Sequence, residues 1–309
     1  MSLDSIFSLG QSALELGLIT SLTVLALFLS YSMLNVCDLS TDGCFTLGAT
    51  VGAVVAIAGH PYLSIVAAMA AGIASGFITA ILQTKMGINS LLAGIIVNTG
   101  LYSINIAVMS GSSILNMNKT DTVFTKMVAL VKGTPVARQS KLFVAIIAVA
   151  AVAVILGLFL KTRLGLAIRA TGDNPDMVRS SSVNPAFTTI IGLCVANSFT
   201  ALSGCLLAQS QRSVNIDIGT GMVTIALASL LIGGVFLGKV VNILPIGAQV
   251  ELKPGKKGLV HISRLANHRV EKVEDEVQIG DEILVRVIAI KPDGKIDLTR
   301  KELLPDAKK

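Results

Sequence analysis

Long apolar runs, poor in charge, fill the first three-quarters of the chain, near residues 16–34, 45–59, 62–84, 91–109, 142–160, 187–208 and 222–237. Such runs predict helices, and a helix needs about 20 apolar residues to cross a bilayer core. The second and the last runs are short of that, and the second reads as a broken or re-entrant element. Gly59-His60-Pro61 then supplies a tight turn ahead of the third. From Gly238 the pattern changes to strict alternation, which predicts five short strands near 239–244, 248–252, 258–262, 282–290 and 295–299. Pro245-Ile246-Gly247, Lys253-Pro254-Gly255 and Pro292-Asp293-Gly294 separate them as turns, and 263–277 is left for a short helix or turn. The expected architecture is an all-α polytopic membrane bundle of about seven apolar segments, followed by a small all-β five-stranded barrel of the OB type.

Composition sharpens that break. Residues 238–309 hold 25 of the 44 charged side chains and no Phe, Tyr or Trp. The net charge of +6 divides evenly between the two parts, so neither is a nucleic-acid binder by charge alone. Met1-Ser2-Leu3-Asp4 lacks a basic n-region, and no cleaved signal peptide is expected. Cys37, Cys44, Cys194 and Cys205 stand in or beside apolar runs without metal-ligand spacing and read as small hydrophobes. His60, His261 and His268 are scattered. The sequence holds no phosphate-binding loop of the Walker type, no Gly-x-Ser-x-Gly and no paired His ligands. No enzyme activity, metal or resident cofactor is expected.

Asn35, Asp38, Asn89, Asn98, Asn105 and Asn197 lie inside or beside apolar runs. Polar groups there face a partner helix or a wet cavity. Gly48/Gly52 and Gly72/Gly76 recur at a spacing that lets helices approach closely in lipid, although Gly is also simply common in membrane helices. Two basic loops, 110–141 and 161–185, flank one span and so lie on opposite sides. Counting Lys and Arg leaves them near balance until the tail is added to the second. A spanning last segment therefore puts 161–185 and the tail in the cytoplasm.

The loop KTRLGLAIRATGDNPDMVRSSSVNP, 161–185, carries a short helical stretch that Asn174-Pro175 can start and Asp176 can support. By physics alone it is a solvated topological anchor or a docking element. The segment is similar to the cytoplasmic coupling loop of ABC-importer permeases of the branched-chain amino acid permease superfamily. DLSTDGCFTLGATVGA (38–53), INSLLAGIIVNTGLYSIN (88–105) and GTGMVTIALASLLIGG (219–234) resemble the same family. The likeness, over about 5–234, implies a permease subunit of the bacterial cytoplasmic membrane for amino acids or similar small solutes. Its partners would be a second permease copy, an ATPase subunit that hydrolyses ATP, an external substrate-binding protein and membrane lipid. It also implies spans beyond Gly234, where this chain carries its tail instead. Carried over by position, Arg169, Gly172, Asp173, Asn174, Pro175 and Arg179 form the ATPase-coupling loop. Asp38, Ser40, Asp42, Asn89 and Asn98 are candidates for the translocation path.

The tail, 238–303, resembles the ribosomal protein S-one type RNA-binding domain, most of all the copy that ends bacterial polynucleotide phosphorylase. Such domains stack bases on aromatic side chains and track phosphates with basic ones. At the usual aromatic positions this chain has Ile246 and Gln249. His261, Arg264, Lys256, Lys257, Lys291 and Lys295 remain as candidates for weak, salt-sensitive contact with single-stranded RNA. His261 either joins that contact or caps a strand end. The resemblances divide the chain into 1–234, 235–304 and a tail of 305–309. Three accounts of the join stay open: a permease carrying an RNA-binding-type domain, a membrane-tethered RNA-binding protein, and an artefactual or engineered fusion of two unrelated pieces.

Overall fold

The computed structural model describes residues 3–118, 120–130, 140–232, 235–253, 256–268, 270, 272–290 and 296–304. The chain divides into two compact units, Met1–Ala226 and Leu227–Lys309.

In the first unit, five helices are long and apolar enough to cross a membrane: Leu9–Met33, Pro61–Thr84, Ser90–Val108, Lys141–Lys161 and Pro185–Gln211. Two apolar helices, Thr41–Ile57 and Met222–Leu231, are shorter. We number the elements α1 (Leu3–Leu27, continued as a π-helix over Phe28–Met33), α2 (Thr41–Ile57), α3 (Pro61–Thr84) and α4 (Ser90–Val108), then α5 (Val123–Leu130) and α6 (Ser140–Lys161). They continue with α7 (Arg163–Asp173), α8 (Pro175–Ser180), α9 (Pro185–Gln211) and α10 (Met222–Leu231). Two three-residue strands, β1 (Ile114–Asn116) and β2 (Ser213–Asn215), pair antiparallel.

α9 is the hub, buried along most of its length. It packs against α1, α2 and α3. Both glycine pairs face it. Gly48 and Gly52 meet Ala201 and Cys205, while Gly72 and Gly76 meet Asn197 and Leu193. At Gly48 a side chain would strike the Ala201 backbone, so here the glycine is required by close approach. The segment ahead of α2 is irregular. Asn35, in the left-handed region at φ 56, turns the chain back from the end of α1. α2 then begins inside the bundle. Asp38 is bonded to Asn197, near the midpoint of α9, and α2 ascends beside the C-terminal half of α9. α2 is thus a 17-residue helix, short of a full span, that starts beside the middle of α9 after an irregular segment. Asp38 lies within irregular backbone buried in protein, where such backbone is tolerated at membrane depth.

In the second unit, β3 (Val235–Leu244), β4 (Gly247–Lys253), β5 (Lys256–His261), β6 (Glu282–Ile290) and β7 (Ile296–Thr299) close into a barrel of order β3-β4-β5-β7-β6. β5 and β7 pair parallel, Gly258 opposite Ile296, and the other pairings are antiparallel, as in an OB fold. Alternate residues point inward. Val240, Val250, Val260, Val285 and Leu298 are fully buried, each worth about 1.5–3 kcal/mol of transfer free energy.

The junction departs from the sequence reading. The apolar run 222–237 is not one helix: α10 ends at Leu231 and β3 starts at Val235. Phe236 and Leu237 pair with Val285 and Leu284. Phe236 packs on the barrel core while Leu237 faces out, so this stretch has strand rather than helix periodicity.

Candidate functional site

At mid-depth in the helical unit, Asp38 is 1% exposed and fully engaged. Its Oδ1 accepts from the Ser40 N–H (2.8 Å) and Ser40 Oγ (2.6 Å), and its Oδ2 accepts from Asn197 Nδ2 (2.8 Å). Thr79 Oγ1 of α3 donates to Ser40 Oγ at 3.3 Å. This knot joins the α2 entry to α3 and α9. Asp42, one turn on, does different work. Its carboxylate accepts from Gly221 N–H (3.0 Å) and Val223 N–H (2.8 Å), capping the N-terminus of α10. The N-termini of two short helices, α2 and α10, therefore meet at Asp42.

A cavity of about 310 Å³ opens beside that meeting point, between α2, α4 and the connection that leads into α10. Asp42, Asn98, Tyr102, Asn105 and Asp217 are among its walls. Of the residues read as a translocation path, Asp42 and Asn98 come together here. Asp38 and Ser40 are buried in the neighbouring knot. Asn89 is exposed at the start of α4, where it accepts from the Leu91 N–H at 3.0 Å as an N-cap. Tyr102, Asn105 and Asp217 were not singled out as site residues. The available signal was spacing: Asn98, Tyr102 and Asn105 recur at i, i+4 and i+7, one helical face. Asp217 carried no such signal.

The loop 161–185 forms α7, α8 and their joint. Thr162 and Asn174 cap the two helices, Asn174 Oδ1 accepting from the Asp176 and Met177 N–H groups. The inner side is keyed to the bundle. Gly172 lies directly against the Met33 carbonyl at the end of α1. Thr171 and Thr188 hydroxyls are 2.8 Å apart and link α7 to α9. Ile168 is fully buried. The outer side carries Arg169, Asp173, Asn174, Pro175 and Arg179, all exposed, with Met177 at 69% exposure. Arg179 and Asp176 form a 3.8 Å ion pair in full solvent, worth little by itself.

On the barrel, Gln249 pairs with Leu259, and Leu259 with Asp297, across one outer face of β4, β5 and β7. His261 and Arg264 border it around a cavity of about 240 Å³. The His261 ring caps the short 3-10 turn Ile262–Arg264, its Nδ1 accepting from the Ser263 N–H at 3.3 Å. Ile246 is 54% exposed at the β3–β4 turn, an aliphatic side chain where the stacking platforms of such barrels carry aromatic ones. Lys257 is exposed on β5, and Lys256 stands at the start of that strand. Lys291 and Lys295 lie outside the described residues.

Residues 11–250 match the family described as branched-chain amino acid transport system / permease component. A tyrosine transport system permease protein of Clostridioides difficile is 33% identical over 223 residues, 72% of each chain. The chain belongs to this permease family. It is accordingly a multi-pass inner-membrane protein of the transport-subunit type. Residues 230–301 match the S1 RNA binding domain, so this permease carries an S1 barrel. A polyribonucleotide nucleotidyltransferase of Alkaliphilus oremlandii is 58% identical over 74 residues, and one of Thermosynechococcus vestitus is 42% identical over 135 residues. The matches cover 24% and 38% of this chain, and the permease chain spans 10% and 18% of those enzymes' lengths.

Proposed function

We propose that residues 1–234 act as the permease subunit of an ATP-driven importer for amino acids or similar small solutes. In this reading 235–304 form an RNA-binding-type domain on the cytoplasmic side and 305–309 a tail. The observation that carries the reading is the two-sided build of α7–α8. The exposed face, with Arg169, Asp173, Asn174, Pro175 and Arg179, suits an ATPase subunit, and the opposite face is locked to α1 and α9. Closure of an ATPase pair would push this face. The push would pass through Gly172 to Met33, along 34–40 to Asp38, and so to the start of α2 beside the cavity. Asp42 and Asn98 then belong to the translocation path, with Asp38 and Ser40 holding its wall and Asn89 at an α4 end. A second permease copy and an external binding protein complete the transporter.

Lys161, Arg163, Arg169 and Arg179 support a cytoplasmic loop. α10 has ten residues. At 1.5 Å per residue a helix of that size covers about 15 Å, half of a 30 Å hydrocarbon core. Starting at Asp42, it is long enough to carry the chain from mid-depth to a surface, and the basic loop argues for the cytoplasmic one.

The docking test is co-purification of the full-length protein with the ATPase subunit of its importer. Arg179→Glu is expected to abolish co-purification while leaving the yield of folded permease unchanged. Equal recovery of the ATPase with Arg179→Glu would exclude this loop as the dock. For the barrel we propose weak, salt-sensitive binding of single-stranded RNA through His261, Arg264, Lys256, Lys257, Lys291 and Lys295, limited by the aliphatic Ile246 and the amide of Gln249.

A further inference from the structure

The cavity beside Asp42 has an unusual chemical balance. Its walls include two carboxylates, Asp42 and Asp217, and no Lys, Arg or His. The two acids are in different states. Asp42 is partly compensated by the α10 N-terminus. The Asp217 carboxylate receives no hydrogen bond or cation from any described residue. A second, independent feature is Asn105. It is 1% exposed and forms part of the wall, its Nδ2 donates to the Gly43 carbonyl at 3.3 Å, and its Oδ1 has no protein partner. A buried acceptor left without a donor costs about 1–3 kcal/mol. The site therefore has no cationic side chain among its lining residues while offering an amide oxygen and carboxylate oxygens. Tyr102 adds an aromatic wall, a further attraction for a cation.

Size narrows the ligand. A bare metal ion is held by oxygens at about 2.0–2.6 Å on all sides. A space of about 310 Å³ leaves room for an organic body behind the cationic group. We propose that this cavity is a binding site for the ammonium group of a small organic cation or zwitterion, with Asp217 as its counter-charge and Asn105 Oδ1 as a buried acceptor. Asp42 shapes the floor while remaining the α10 cap. This assigns the residues that would hold the ammonium group within the transport reading, and rests on that reading in taking the cavity as reached by solute. Binding and ATPase docking are measured separately, so either can fail alone.

The test is isothermal titration of the full-length protein in nanodiscs with three ligands of similar size: isopentylamine, leucine and 4-methylpentanoate. The amine and leucine are expected to bind at least about tenfold more tightly than the carboxylate without an ammonium. Asp217→Asn, at an exposed position, is expected to weaken both by about tenfold or more, and Asp176→Asn, on α8, to change neither. Asn105→Leu should weaken them as well, with circular dichroism confirming its helix content. Equal binding of 4-methylpentanoate, unchanged affinity in Asp217→Asn, or no binding heat up to about 10 mM ligand would each overturn the assignment.

Discussion

Asn197 Nδ2 donates to Asp38 Oδ2 across 2.8 Å, tying the middle of α9 to the irregular segment that launches α2. Asp38 has three donors on its carboxylate, and all three are buried with it. Replacing Asn197 by Leu keeps the branched heavy-atom framework and removes one donor from a buried acid. The expected cost is at least about 1–3 kcal/mol, the penalty of an unsatisfied buried group, and more if the acid stays charged. A thermal unfolding midpoint in a fixed detergent reads it directly. An unchanged midpoint would mean that the knot is not structural.

The close approach of α2 to α9 makes a paired prediction. Gly48→Ala puts a methyl group into the Ala201 backbone and is expected to destabilise the bundle by about 1–3 kcal/mol, the usual range for overpacking. Gly100→Ala, in α4, meets nothing within 4 Å. It should be neutral or stabilising by about 0.5–1 kcal/mol, because a helical glycine is replaced where space is open. The difference between the two midpoints is the measurement, since it cancels the general effect of Gly to Ala in a helix.

Asn174 holds two N–H groups of α8. Asn174→Ala is expected to cost about 1 kcal/mol of local stability. Faster hydrogen exchange at Asp176 and Met177, with α9 unchanged, would show it. If exchange stays as slow as in the parent, the cap is not what orders α8.

On the barrel, the double substitution Ile246→Phe with Gln249→Phe should tighten single-stranded RNA binding, since each stacked base is worth about 1–3 kcal/mol. A fluorescence titration of full-length protein at fixed salt measures this. No gain would mean that bases do not track across the β4 face. Lys257→Gln should lower the slope of log affinity against log salt by about 0.7, one phosphate contact on a single strand.

Much of the fold was legible from apolar length. α3 and α4 begin and end within about one residue of the runs that predict them, because Pro61 and Asn89 start them cleanly. α1 was not: it starts at Leu3, well before the apolar run, since Gln11 and Glu15 conceal a helical stretch whose polar residues still form helix. α5 and the β1–β2 pair were hidden inside basic or polar connections. Three-residue strands have too few positions to show a period, and α5 is positioned by Gln209, whose Oε1 accepts the Val123 N–H from 86 residues away. The barrel strands were readable from alternation, except where β3 borrowed the end of an apolar run. For the cavity, Asp42 and Asn98 were legible as polar residues in apolar surroundings. Asp217 was invisible because it is an ordinary loop acid until α2 is folded against the connection before α10.

Asp38 and its donor Asn197 are separated by 159 positions. A ribosome adds about 5–20 residues per second, so α9 is made roughly 8–30 s after the acid it satisfies. During that interval α1 to α4 exist with the carboxylate of Asp38 short of a donor, in a bilayer that supplies none. The early helices must wait, either with the acid held at the membrane surface or with α2 not yet seated. The order of synthesis thus makes α9 the clasp that closes this bundle, and a chain stalled before residue 197 has an incomplete fold rather than a smaller one.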